Sequence, residues 1–230
     1  MDVRLYYTEQ GRGEPLILLH GNDESSDYFE NQIGVFSEQY RVIAVDTRGH
    51  GRSPRGEAPF QIRQFAEDLR EFMDGLAIEK ASILGFSDGG NIAVTFALKY
   101  PQRVECLILN GANIYPRGMK ATVLLPIIAA YKFTSLLATV SRWAKKQAEM
   151  LGLMVNEPQI CPQELSQLYV PTLVIAGNRD MVKTEHTRLI AGSLPDAELA
   201  LMEGDHFIAA KKPQEFNRIV MEFLRRRQGI

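Results

Sequence analysis

A chain of 230 residues that is 45% hydrophobic and 23% charged can bury one large core, and its composition excludes a disordered or collagen-like protein. The net charge of −2 provides no basic field for nucleic acid. Two cysteines, Cys106 in an apolar run and Cys161 beside Pro162, make neither a metal-spaced cluster nor a disulfide framework, so a reducing, cytoplasmic setting is expected.

The first residues carry no apolar signal core. Short β-rich runs then alternate with helical patterns, and strands are expected at 3–8, 16–19, 41–45, 81–84, 104–109, 172–176 and 198–202. Residues 16–19, 42–45, 106–109 and 173–176 are nearly all apolar, which is the pattern of strands covered on both faces. The expected fold is therefore α/β, a mostly parallel sheet of about seven strands with helices on both faces. Ile62, Phe65, Leu69, Phe72, Met73 and Leu76 recur at helical spacing and should face that sheet, as should Phe216, Val220 and Leu224 near the C-terminus.

The alternation breaks at 112–168, where the pattern is helical at 120–131, 135–151 and 162–168. An insertion at that point reads as a helical cap over the carboxyl edge of the sheet, where ligands of open α/β sheets bind. The core is then 1–111 and 169–230. Two further packing helices are the alternative reading. Residues 123–140 are apolar but interrupted by Pro126 and Lys132, a poor membrane span, so no membrane partner is expected. Lys145 and Lys146 read as a solvated helix face, and Arg225, Arg226 and Arg227 as the cationic end of the last helix. The sequence is compatible with a homodimer but carries no signal for one.

Residues 83–90 read Ile-Leu-Gly-Phe-Ser-Asp-Gly-Gly, an apolar strand running through a sharp turn into the helical pattern Ile92, Ala93, Phe96, Ala97. Gly-x-Ser-x-Gly in that setting is a nucleophile elbow, which lifts the Ser87 hydroxyl out of the sheet. A Gly-rich phosphate loop is the competing reading, but the spacing fits neither a P-loop nor a dinucleotide fingerprint. A serine needs a base, and the chain has four histidines. His20 and His50 precede Ser87, and His186 sits in a helical pattern; His206 follows a strand in Glu203-Gly204-Asp205-His206, where a base can reach over the sheet edge. Asp180, after another strand, is the candidate to orient it, with a helix N-cap as its alternative role and Asp205 as a competing acid. The oxyanion of acyl transfer needs donors, and the backbone N–H groups of Asp88 and Asn22 stand at the right strand ends.

His20-Gly21, then Asp46-x-Arg48-Gly49-His50-Gly51-x-Ser53, the elbow, Asp180 and His206 together resemble the α/β-hydrolase superfamily over almost the whole chain. The resemblance implies that 48–53 is a structural turn and that neither cofactor nor metal is needed. The elbow is similar to that of biphenyl-hydrolase-like enzymes, including those that cleave α-amino-acid esters, in which the acid after the nucleophile is associated with a substrate amine. Asp88 holds that position, although an acid in a first helical turn is favoured by the helix dipole whatever the substrate.

The expected function is hydrolysis of a small carboxylic ester, or a thioester or activated amide, by Ser87, His206 and Asp180. Asp88, Leu124, Leu125 and Ile128 are the expected substrate contacts. Two alternatives remain: a cofactor-free C–C bond hydrolase, and a ligand-binding or signalling protein on this fold with slow turnover.

Overall fold

A computed structural model describes residues 2–228. Among them are the strands β1 (Tyr7–Gln10), β2 (Pro15–Leu19), β3 (Arg41–Val45), β4 (Ala81–Phe86), β5 (Val104–Asn110), β6 (Thr172–Gly177) and β7 (Ala197–Met202). They form one sheet in the order β1-β3-β2-β4-β5-β6-β7, with β1 antiparallel to β3 and every other pairing parallel. The helices are α1 (Glu30–Phe36), α2 (Ile62–Gly75), α3 (Asp88–Lys99), α4 (Ala121–Leu137), α5 (Arg142–Asn156), α6 (Pro162–Leu165), α7 (Thr184–Ser193), α8 (Ile208–Lys211) and α9 (Pro213–Gln228).

The continuous apolar runs of the central strands divide by parity. Ile17, Leu19, Ile43 and Val45 point into one layer with Phe65, Leu69 and Phe96 from α2 and α3. Leu16, Leu18, Val42 and Ala44 point into the other with Phe36, Phe216 and Phe223 from α1 and α9. Successive side chains on a strand face opposite ways, so a strand apolar at every position must be covered twice.

Three expectations change. The strand expected at 3–8 begins only at Tyr7, because Tyr6 N–H donates to Ser53 Oγ at 2.8 Å instead of joining the sheet. Val3 and Leu5 are buried, but as an irregular segment packed into the core, which gives the same alternation as a strand. The helices expected at 120–131 and 135–151 divide later, after Leu137. Thr134 Oγ1 donates back to the carbonyls of Ala130 and Tyr131 and so continues the helix rather than capping a new one. Ser141 is the cap, its hydroxyl accepting from Ala144 N–H at 3.2 Å. The last of the three helical stretches, expected at 162–168, is only the single turn α6.

Candidate active site

The chain turns from β2 outward to β3, then returns to place β4 on the other side of β2. The crevice beyond the carboxyl ends of β2 and β4 is thus a topological switch point, where a ligand site is expected. Leu19 is in register with Gly85, Phe86 with Asn110, and Asn110 with Ile175. These pairings bring the ends of β2, β4, β5 and β6 to one edge. With β7 beside β6, that edge collects Asn22, Ser87, Asp180 and His206 from four separate parts of the sequence.

Ser87 has φ 52° and ψ −119°, a strained conformation for a residue with a side chain. The turn holds it because nothing bulkier than hydrogen fits on either side. A Cβ on Gly85 would lie 2.2 Å from the Gly89 carbonyl oxygen, and one on Gly89 would lie 2.0 Å from the Leu19 carbonyl oxygen. Ser87 N–H donates to the Asn110 carbonyl at 2.8 Å, tying the elbow to β5.

Asp180 Oδ1 accepts from His206 Nδ1 at 2.7 Å and from Val182 N–H at 2.8 Å, and both side chains are buried. That bond puts the proton on Nδ1 and leaves Nε2 as the ring's acceptor. Asp180 does not cap α7, whose N-cap residue is Lys183. Asp205 is turned to Lys211 and to Phe207 N–H, and Lys211 holds its carboxyl below the usual range. The remaining histidines are committed elsewhere. His20 Nε2 accepts from Thr47 N–H at 3.0 Å, and His186 Nε2 accepts from Ile114 N–H at 3.1 Å. Burial pulls each of these two down to about 4, so both are neutral at pH 7. His50 Nδ1 lies 3.0 Å from the Arg48 carbonyl.

The structure joins His206 to Asp180, but among the described residues it shows no hydrogen bond between His206 and the Ser87 hydroxyl. Catalytic contacts of this kind commonly tighten only when substrate is bound. Phe86 bridges the elbow to the base, its ring 4.8 Å from that of His206. Gly111, which sequence reasoning passed over, walls the pair in. It has φ +62°, and a Cβ there would lie 2.8 Å from His206 Cε1 and 3.2 Å from Asp180 Oδ2. A glycine directly after an apolar strand was the available signal.

Asp88 N–H, at the start of α3, and Asn22 N–H have no acceptor among the described residues. The first N–H groups of a helix are orphans by construction, so Asp88 N–H is open to an incoming acceptor. Gly21 N–H, by contrast, is taken by Glu24 Oε2 at 3.0 Å. Burial pushes the Glu24 carboxyl up to about 7.

The Asp88 carboxylate does not stand free beside the elbow. Its Oδ2 accepts from Asn22 Nδ2 at 2.8 Å and its Oδ1 from Asn91 Nδ2 at 3.1 Å. Asn22 Nδ2 also donates to the Met150 carbonyl of α5 at 2.8 Å, and Asn91 reaches Asn113. One largely buried network therefore links the loop after β2, the elbow helix, the end of β5 and α5. Burial pushes the Asp88 carboxyl up to about 6, against the pull of the two amides and of His206. No periodicity or motif signals such a network, because its members are side-chain contacts across four elements.

The turn at 48–53 is built around buried charge. Asp46 accepts from Ser26 N–H and Arg52 N–H, and the fully buried Arg48 meets Asp68 through two bonds of 2.7 Å. Of the expected substrate contacts, Leu124 and Ile128 are half-buried, whereas Leu125 is 63% exposed and faces solvent. Phe133 is also exposed. Adjacent positions on a helix lie about 100° apart, which turns 125 to solvent where 124 turns inward. A cleft of about 730 Å³ lies between α2, α3 and residues 157–164. It contains none of Ser87, Asp180 and His206 and no nucleophile beside a base, so geometry rather than volume locates the chemistry.

The model of a family described as "alpha/beta hydrolase fold" matches residues 14–154. A putative carbamate hydrolase RutD from Azorhizobium caulinodans is 28% identical, covering 96% of this chain and 95% of its own length. The serine hydrolase BPHL of Mus musculus is also 28% identical, over 96% of this chain and 83% of its length. Among solved structures, a meta-cleavage product hydrolase from Pseudomonas fluorescens IP01 superposes with a TM-score of 0.79 at 26% identity, covering 97% of this chain and 95% of its own.

Proposed function

The chain belongs to the α/β-hydrolase fold family and is a hydrolase, and from that premise we propose that it cleaves a small carboxylic ester through a serine acyl-enzyme. The observation that carries this reading is the buried His206–Asp180 pair at the same sheet edge as the strained elbow serine. Ser87 Oγ attacks the acyl carbon while His206 Nε2 takes its proton. The Nδ1–H bond to Asp180 fixes the tautomer that leaves Nε2 free and stabilises the imidazolium. The carbonyl oxygen becomes an oxyanion held by Asp88 N–H and Asn22 N–H. Collapse breaks the ester C–O bond, and the departing alkoxide takes the proton from His206. Water then attacks the acyl-enzyme, giving its proton to His206, and Ser87 Oγ departs with that proton, which releases the acid and restores the enzyme.

Helices α4 and α5 serve as the cap, with 1–111 and 169–230 as the core. The Asn22–Met150 bond supports this arrangement, since it hangs α5 over the oxyanion loop. Leu124 and Ile128 contact the acyl chain. Asp88 acts first as the anchor of Asn22. An ionised carboxylate has about four acceptor sites, so a substrate α-ammonium can still pair with it beside the two amides. An ester panel run on wild type and Ser87→Ala tests the reading. Turnover that survives in Ser87→Ala would end it, and turnover below ~0.01 per second on every ester would favour a binding protein. A matched pair of aminoacyl and des-amino esters tests the ammonium contact.

The likeness to a meta-cleavage product hydrolase favours one second reading, C–C bond hydrolysis with the same residues. Faster cleavage of a vinylogous diketone than of any ester would establish it.

A further inference from the structure

Helix α4 is exposed against its composition. Its sequence, Ala-Thr-Val-Leu-Leu-Pro-Ile-Ile-Ala-Ala-Tyr-Lys-Phe-Thr-Ser-Leu-Leu, is apolar on nearly every side, and a helix of that kind is ordinarily buried. Of its 17 residues only Thr134 is buried. Leu125, Phe133 and Leu136 are 63%, 61% and 76% exposed, and Val140 and Trp143 beyond them are 82% and 64% exposed. Spacings of three, four and eight put such residues along one side of a helix. The tight turn through Val140 and Ser141, both donating to the Leu137 carbonyl, carries the stripe onto the first turn of α5.

Along the stretch of chain that carries this stripe the charge is of one sign, and Glu149 just beyond it is paired with Arg55. Between Glu105 and Glu149 the chain has no Asp or Glu and six cations, Arg117, Lys120, Lys132, Arg142, Lys145 and Lys146. Since the whole chain nets −2, everything outside that stretch nets −8. Lys132, Arg142, Lys145 and Lys146 are exposed, and none is ion-paired among the described residues. A second copy docking through the same face would set cations against cations. An anionic lipid surface matches both features, apolar side chains entering the acyl boundary and cations meeting headgroups.

We propose that the α4–α5 hairpin docks this hydrolase on anionic membranes. The helix lies in the interface and does not cross it: 17 residues rise only about 26 Å, and among the described residues no helix is long and apolar enough to span. The sequence expectation of no membrane partner is argued from the lack of a spanning segment, and a surface contact departs from it. Trp143 is suited to the headgroup level, where an aromatic ring is apolar on one side and wet on the other. Docking here would bring the roof of the proposed site to the bilayer, so that apolar esters dissolved in lipid could be delivered to it.

Trp143 is the single tryptophan of the chain and therefore the reporter. The full chain is mixed with vesicles of phosphatidylcholine alone, or with about one third phosphatidylglycerol added. With the anionic vesicles, Trp143 emission should shift to the blue and the protein should sediment with them, both effects weakening as salt is raised. Lys145→Ala with Lys146→Ala should lower the partition coefficient about 30-fold, roughly fivefold per lysine. Leu136→Ser with Val140→Ser should abolish binding while retaining the melting temperature and the hydrolysis of a soluble reporter ester. Absence of sedimentation at low salt would overturn the proposal. So would binding indifferent to lipid charge and salt. A blue shift that grows with protein concentration without vesicles, and is lost in Leu136→Ser with Val140→Ser, would make the face a dimer interface and would also overturn it.

Discussion

Asp88→Asn removes a buried charge whose effect on stability has a defined dependence on pH. Burial raises the Asp88 carboxyl from 3.8 to about 6 in the folded protein. Below 3.8 both folded and unfolded chains hold the proton, and Asp88 contributes no dependence. As pH rises from there, the unfolded chain releases the proton first, so the folded state loses relative stability until the folded carboxyl has itself ionised above about 6. The full difference is about 3 kcal/mol. About 1 kcal/mol of it has developed by pH 4.5, leaving about 2 kcal/mol to appear between pH 4.5 and 7.5. An asparagine at 88 has no such dependence. It has a fixed cost, because one of the two amides that donate to Asp88 would then face another N–H, and neither can turn. Asn22 also serves Met150, and Asn91 also serves Asn113. That mismatch costs about 1–3 kcal/mol at every pH. Glu24, His20 and His186, none of which leans on Asp88, titrate in both proteins and cancel in the difference. Unfolding of wild type and Asp88→Asn followed across this range should show the variant gaining about 2 kcal/mol on wild type, or about 4–8 °C in Tm. A gap that stays constant, or moves the other way, would refute the claim that a charge is buried at 88.

Ser87→Ala and His206→Ala should each lower kcat on a reporter ester by about 1000-fold or more, with the double variant little worse than either; additive losses would mean that they do not act as one unit. Gly111→Ala puts a Cβ 2.8 Å from His206 Cε1 at φ +62°, and should lower kcat by about 100-fold with a modest drop in Tm. Unchanged kcat there would show that the loop after β5 does not confine the pair. Leu124→Ser and Ile128→Ser should change the preferred acyl length, whereas Leu125→Ser, which alters a solvent-facing side chain, should not. Equal effects from all three in a competition between short and long esters would place the pocket elsewhere.

Much of this protein is fixed by local pattern. The runs at 16–19, 42–45, 106–109 and 173–176 are apolar at every position, and only a strand covered on both faces accommodates that, so the sheet and its two helical layers follow from sequence. The elbow is equally local, since strand, glycine, serine, glycine and helix are consecutive and the steric demand acts within five residues. The pairing of His206 with Asp180 is legible by elimination and by their places after strands, and the family match gives the fold directly. Side-chain direction is where local reading ends. Val3 and Leu5 alternate like a strand because the core takes them from an irregular segment, and Leu125 looks like Leu124 until a helix rotation separates solvent from interior. The bonds from Asp88 to Asn22 and Asn91, and from Asn22 to Met150, join residues up to 128 positions apart. Register decides them: β2 beside β4 sets Asn22 over the elbow, and the α4–α5 hairpin sets Met150 above both. A periodicity has a range of one element, whereas a site is assembled from the ends of several, so only the packed chain determines which side chains meet.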